Sequence, residues 1–292
     1  MSHSLFPSLV ATAVLVAAPV LEATAQSPAM DSVTTILRVA PLTVAGYQRF
    51  GFPRRDLTVR VGDVTIAAGL ALGGWVGFAG SPHHAMMAGD LVVTAAELPA
   101  VVKSLTDDSI AITAIHNHLA GETPNILYLH VHQMGRAVPL AAAIDRALQK
   151  TGAPRGAGPT PPPPLTVDTG LVFRRLGVSG RGQGAVASVS PVLIKGAIRV
   201  GKNATVPALV AASPINIQRV SDDRSVATGD FALLGRQVEP VFRALVAHGI
   251  TPTSLHSHLI GESPTISYLH FWGDGRLEDL LTGLRAALDA AR

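Results

Sequence analysis

Seven of the chain's 11 histidines fall in two short strings of one pattern. The first contains His116 and His118, then Tyr128, His130 and His132; the second contains His256 and His258, then Tyr268 and His270. Neutral imidazole is a ligand for zinc, copper, nickel or iron. On an extended strand, histidines two residues apart point to the same side without distorting the backbone. A third imidazole from a neighbouring strand and one carboxylate would complete a divalent-metal site, zinc or copper, with a position left for water. Water on such an ion loses its proton near neutrality and becomes a hydrolytic nucleophile, for which Glu122 would be the general base. The spacing therefore nominates His116, His118 and His130 as ligands, with His132 or Glu122 as the fourth. Tyr128 would orient a ligand or donate to a substrate. In the second string the metal candidates are His256, His258 and His270, with Glu262 in the turn and Trp272 where a fourth histidine would fall. Two other uses fit the same residues. They could form a hydrogen-bonded layer where two halves of the molecule pack, or a non-catalytic cleft for a small polar ligand.

The elements that would position these groups are written twice. At an offset of 140 residues, identities include Gly89/Gly229, Asp90/Asp230, Leu105/Leu245, Gly121/Gly261, Glu122/Glu262, Pro124/Pro264, Arg136/Arg276 and Leu148/Leu288. Such a period announces a duplicated unit. In the first copy the segment from Thr94 to Leu105 has helical spacing at Leu98, Val101, Val102 and Leu105, with Thr94 as the cap. "AITAIHNHL" and "NILYLHVHQ" alternate and are rich in β-branched residues, so they predict two strands joined through the "GETP" turn. Leu127, Leu129 and Val131 would lie beneath helices with Ile115 and Leu119, and the histidines and Tyr128 on the opposite face. "AVPLAAAIDRALQK" predicts a closing helix, and the second copy repeats the order. "DLTVRVGDVTIAAG" and "VLIKGAIRVGK" read as further strands. Gly89-Asp90 reads as a turn and cap, the alternative being that Asp90 and Asp230 reach the histidine face. "PHHAMMAGD" reads as a turn followed by a core-facing Met86–Met87 pair. The fold expected is α+β: two tandem repeats, each an antiparallel or mixed sheet with a His-rich hairpin and helices on one face, packed as a pseudo-symmetric pair.

Chain-wide features narrow the setting. An apolar run from Leu9 to Leu21 ends in Ala23-Thr24-Ala25, the pattern of a signal peptide, which predicts cleavage near Ala25 and a periplasmic or secreted product. No later stretch is long and apolar enough to span a bilayer. The expected organisation is a signal peptide at 1–25, repeat 1 at 26–150, a Pro/Gly-rich linker at 151–165 and repeat 2 at 166–292. There is no cysteine, which rules out disulfides, thiolate metal sites and a lipid-bearing cysteine. A formal charge of +3 with dispersed basic residues gives no footprint for nucleic acid. Gly180 to Gly184 lacks the Lys-Ser/Thr ending of a phosphate loop.

Three stretches carry a family likeness. "GFPRRDLTV" (Gly51 to Val59), "GDLVVTAAEL" (Gly89 to Leu98) and "TAIHNHLAGETPNILYLHVHQMG" (Thr113 to Gly135) resemble the LppY/LpqO family of exported bacterial proteins. The resemblance implies export and a domain of unknown function present in two copies. It implies no activity, and the missing lipobox cysteine separates this chain from the family's lipoproteins.

Overall fold

The computed structural model describes residues 28–154, 156 and 163–292. The apolar N-terminal run with its Ala25 site lies outside the described residues, as does the middle of the proline-rich segment. Repeat 1 runs α1 (Pro28–Leu37), β1 (Leu42–Val44), β2 (Tyr47–Pro53), β3 (Arg60–Val61), β4 (Val64–Thr65), α2 (Ala68–Ala71), β5 (Gly73–Ser81), β6 (His84–Thr94), α3 (Leu98–Asp107), β7 (Ala111–His116), β8 (Glu122–Thr123), β9 (Ile126–Gly135) and α4 (Ala137–Leu148). Repeat 2 starts with α5 (Thr169–Leu176), β10 (Gly180–Gln183), β11 (Val186–Val189), β12 (Arg199–Val200), β13 (Asn203–Ala204), α6 (Pro207–Val210) and β14 (Ile215–Arg219). It continues with β15 (Ser225–Leu234), α7 (Gly235–Ala247), β16 (Thr251–His256), β17 (Glu262–Ser263), β18 (Ile266–Gly275) and α8 (Leu277–Ala290). The element order is the same in both.

Each repeat has a six-stranded antiparallel sheet, β1-β2-β5-β6-β9-β7 in the first and β10-β11-β14-β15-β18-β16 in the second. This is the α+β architecture the sequence predicts. One face of each sheet is covered by helices. Leu129 and Val131 pack there with Val101, Leu105, Leu140 and Ile144, and repeat 2 builds its own equivalent core around Leu269, Phe271, Val241 and Leu284. The other faces meet each other. Tyr47, Met86 and Ala88 share an apolar cluster with Leu209, Ile266 and Tyr268, while Val92, Ile126 and Tyr128 share another with Val186 and Val226. The histidine-bearing faces therefore look inward across a junction between the repeats.

Several sequence expectations change in this setting. Gly89-Asp90 is not a turn: it lies within β6, paired to β5 and β9. With both faces of β6 buried, its apolar residues run almost without a break, and that conceals the period-2 signal. Alternation also splits the methionines, sending Met87 under the helices and Met86 into the junction. The stretches read as upstream strands form two small three-stranded sheets, β4-β3-β8 and β13-β12-β17, built onto the histidine hairpins. Helix α3 begins at Leu98, and Thr94 and Glu97 exchange hydrogen bonds just before it. Ile115 does not lie beneath a helix. It is 47% exposed, because β7 is the sheet's outer strand, and Leu119 joins the junction cluster instead.

The repeated glycine before each aspartate is fixed by close backbone approach. A Cβ on Gly229 would stand 2.0 Å from the Pro214 carbonyl oxygen, and one on Gly89 would stand 2.5 Å from that of Trp75. The Pro214 carbonyl also accepts the Asp230 amide, so the contact sets where Asp230 points. Gly229→Ala is expected to lower stability by about 2–3 kcal/mol through overpacking. The urea midpoint checks this, and an unchanged midpoint would mean the strands yield freely.

Candidate metal centre

The two hairpins bring their imidazoles together by an exchange of contacts. Both β7 and β16 carry a register shift, between Ile112 and Ala114 and between Pro252 and Ser254. A bulge re-aims the extra residue, and here Thr113 and Thr253 turn toward the opposite repeat. The Thr113 hydroxyl donates to the His258 carbonyl at 2.5 Å, and that of Thr253 to the His118 carbonyl at 2.6 Å. Each repeat thus holds the loop that carries the other's second histidine. The turn itself is locally determined. Gly121 and Gly261 have φ of +77° and +74°, a region that favours glycine. The Glu122 Oε1 accepts from Asn117, Asn125 and the Ile126 amide, and the Glu262 Oε1 from the Ile266 amide. Much of the Gly-Glu motif is loop closure.

Six rings converge: His116, His118 and His130 from repeat 1, and His256, His258 and His270 from repeat 2. Their closest pairs cross the junction, with ring centroids 3.7 Å apart for His116–His256, 4.1 Å for His118–His270 and 3.5 Å for His130–His258. A tyrosine backs each group. Tyr128 stacks on His118 at 3.5 Å and Tyr268 on His258 at 3.4 Å. The Tyr128 hydroxyl donates to the Ala71 carbonyl at 2.7 Å, and that of Tyr268 to the Val210 carbonyl, so each phenol is anchored to the last residue of α2 or α6. What Tyr128 offers the cluster is its ring face.

Two buried carboxylates lie beside the rings, Asp90 within a donor set and Asp230 outside both, where sequence reasoning placed them only as an alternative. Asp90 stands opposite His130 in the β6–β9 pair, and Asp230 opposite His270 in β15–β18. The clue available was a Gly-Asp written at the same place in both repeats within an apolar run. Asp90 approaches the His118 Nε2 at 3.5 Å and the His130 Nε2 at 3.7 Å. Those separations are too long for good hydrogen bonds. They are close to the edge of a tetrahedron around an ion with ligands at about 2.0–2.2 Å, about 3.3–3.6 Å.

Two sets of donor atoms lie within 4.8 Å of one another: Asp90, His116, His118 and His130 in one, and His116, His256, His258 and His270 in the other. His116 belongs to both. Buried donors in these sets make no hydrogen bond in the protein: the Asp90 Oδ1, both His116 ring nitrogens, the Nε2 of His118, His130 and His258, and the His270 Nδ1. Native interiors rarely leave so many polar atoms unpaired at one place.

His132 lies apart. It is buried, and its Nε2 is unpaired, but it is in neither set and makes none of the ring contacts that join the other six. Its counterpart Trp272 packs into the apolar part of the junction. Glu122 is also in neither set, and its Oε2 is buried without a hydrogen bond. His83 and His84 are exposed at the β5–β6 turn.

Burial sets the charge state. It holds His116 down to about 3, with His256 adding to the effect, and it holds His118, His130, His258 and His270 well below the ordinary imidazole value. It pushes Asp90 up to about 8 against the pull of Arg49, and raises Asp230 well above the usual carboxylate range. These imidazoles are neutral and ready to coordinate, while burial keeps the two carboxyl groups protonated. The consequence for the metal-free protein has a sign on each side. Below the ordinary histidine value near 6.5 the unfolded chain takes up more protons, so stability falls with acid. Above the ordinary carboxylate value the unfolded chain releases protons that Asp90 retains up to about 8, so this contribution falls as pH rises. Midpoints of the chelated protein are expected to peak near pH 6.5 and to decline toward pH 8. A steady rise across that interval would mean that Asp90 is ionised without help.

A family model described as "Domain of Unknown Function (DUF1259)" matches residues 31–150 and again 171–290. The chain belongs to this family. Both copies span the sheet, the hairpin and the closing helix of their repeat. No curated protein matches the chain. Among the described residues no helix is long and apolar enough to cross a membrane.

Proposed function

We propose that this DUF1259 protein binds a divalent transition metal at the junction of its two repeats. The supporting observation is the set of unpaired ring nitrogens around Asp90, spaced at 3.5 and 3.7 Å where a hydrogen bond would be shorter. Imidazole and carboxylate donors without a thiolate suit zinc or copper(II). His118, His130, Asp90 and His116 hold the ion in the first set, and Tyr128 fixes the orientation of His118. The sequence reading adds export: removal of a signal peptide near Ala25 would leave α1, which begins at Pro28, intact. Repeat 1 then occupies 26–150 and repeat 2 166–292, joined by the linker at 151–165. The likeness to the LppY/LpqO family points to the same cell-envelope setting.

Metal analysis of tag-free protein tests this. Copper or zinc is expected at one equivalent or more, and lost in His118→Ala while circular dichroism shows the fold kept. A folded protein that cannot be loaded would leave the histidines as a structural layer between repeats. A protein that binds a small polar molecule without metal would be the cleft reading.

Metal-assisted hydrolysis requires in addition a ligand position open to water. His116 and His256, the only half-buried imidazoles of the six besides His118, mark the side where it would lie, with Glu122 as the base. Turnover of a chromogenic ester or phosphoester that follows metal loading and disappears in Glu122→Gln would support it. Loaded protein inert across such a panel would confine the function to binding.

A further inference from the structure

We propose that the centre is dinuclear, with His116 bridging two ions as an imidazolate. The inference rests on the metal reading above and goes beyond it in number, geometry and ion class. His116 is the one residue common to both donor sets, and both of its ring nitrogens are buried without a hydrogen bond. A terminal imidazole ligand uses one nitrogen and gives the other to a carbonyl or carboxylate that fixes its tautomer. His116 has no such partner on either side.

One ion does not satisfy the cluster. Placed in the first set, it leaves His258 and His270 with unpaired nitrogens in the junction. Placed in the second, it leaves Asp90, His118 and His130 in that condition. Two ions use both sets, and His116 must then serve both. Charge agrees. Two divalent ions bring four positive charges into a space that holds the buried carboxylates Asp90 and Asp230, and the imidazolate adds a third negative charge. The remaining positive charge suits a bound hydroxide or an anionic ligand at the edge near His116 and His256. The proton balance is simple. Binding releases the Asp90 and Asp230 protons, and the second ion displaces the remaining N–H proton of His116 to solvent. The proton shared between the His256 and His270 Nε2 atoms, 2.9 Å apart, moves to the unpaired His270 Nδ1, so that those two rings stay neutral.

The backbone exchange across the junction supports this arrangement. Thr113 and Thr253 fix the loops of His258 and His118, so the two sets cannot separate without breaking bonds in both repeats. The ions implied are those that take nitrogen-rich sites and bind deprotonated imidazole, copper(II) and zinc.

Copper(II) is the probe. The protein used is the full chain carrying His83→Ala and His84→Ala, because two adjacent exposed imidazoles would take up added copper(II) on their own account. Titration is expected to saturate at two equivalents. The two-copper form is expected to show an electron paramagnetic resonance signal well below that of two isolated ions, because an imidazolate couples their spins. His116→Ala is expected to return the bound copper to full signal, and His132→Ala, outside both sets, to keep the coupled spectrum. Saturation at one equivalent overturns the dinuclear centre and leaves the metal reading standing. Two equivalents at full intensity overturn the bridge. No uptake at all overturns both. If His116→Ala does not fold, stoichiometry and signal intensity of the parent protein still decide.

Discussion

Zinc is expected to raise the thermal midpoint of the protein by about 8–16 °C over the chelated form, at free metal about a thousand times its dissociation constant. The figure follows from linkage. A ligand that binds only the folded state at that excess adds about 4 kcal/mol, and a chain of this size gains about 2–4 °C for each. The sign is firm because the folded state pre-assembles the donors. The hairpins, the tyrosine rings and the crossed threonine bonds hold the imidazoles together before any ion arrives. Scanning calorimetry with zinc and with chelator measures the effect, and His118→Ala should remove most of it. A midpoint unmoved by zinc, or lowered by it, would mean that the unpaired nitrogens are tolerated rather than used.

Arg54→Met is expected to destabilise the protein by about 3 kcal/mol, near the lower end for breaking a buried ion pair. Arg54 is 1% exposed, and its guanidinium donates to Asp56 at 2.8 Å, to both oxygens of Glu97 at 2.8 and 2.9 Å, and to the Val92 carbonyl at 2.9 Å. Removing it strands two carboxylates, which keep enough contact with solvent to moderate the loss. Repeat 2 shows the alternative. Its counterpart of Glu97 is Gln237, whose side chain accepts from the Leu234 amide and donates to the Ala291 carbonyl. The position matching Arg54 is Leu193, since Pro53 pairs with Gly73 as Val192 does with Ala212. Carboxylate and guanidinium are absent there together. The double variant Arg54→Met/Glu97→Gln should therefore recover about 1 kcal/mol or more of the loss. Urea midpoints of the parent and the two variants test this, and a double variant weaker than Arg54→Met alone would show that Glu97 stabilises through Thr94 and Gly152 rather than through Arg54.

The hairpin was legible in the sequence because its two strands alternate and its turn residues are specific. Tyr128 and His130 share a face, Leu129 and Val131 take the other, and the Gly121 turn has the backbone that glycine permits. The duplication was legible for the same reason, since identical side chains recur at fixed distance. Asp90 was half hidden. A strand buried on both faces loses its polar alternation, and a lone Gly-Asp in an apolar run has the composition of a turn. The grouping of His116 with His256 could not be read at all, because strand alternation fixes the face of a side chain and not which sheet will face it. Helix α1 carries a periodic signal of its own. Met30, Val33 and Leu37 have helical spacing and all reach the core.

The crossed threonine bonds carry a consequence for ancestry. A pair that recurs with the roles exchanged, Thr113 with His258 and Thr253 with His118, has the form of an isologous contact. The junction therefore reads as a homodimer interface made permanent when two gene copies fused. Once joined, each half was free to drift by itself, which is how one copy can keep a histidine where the other has Trp272.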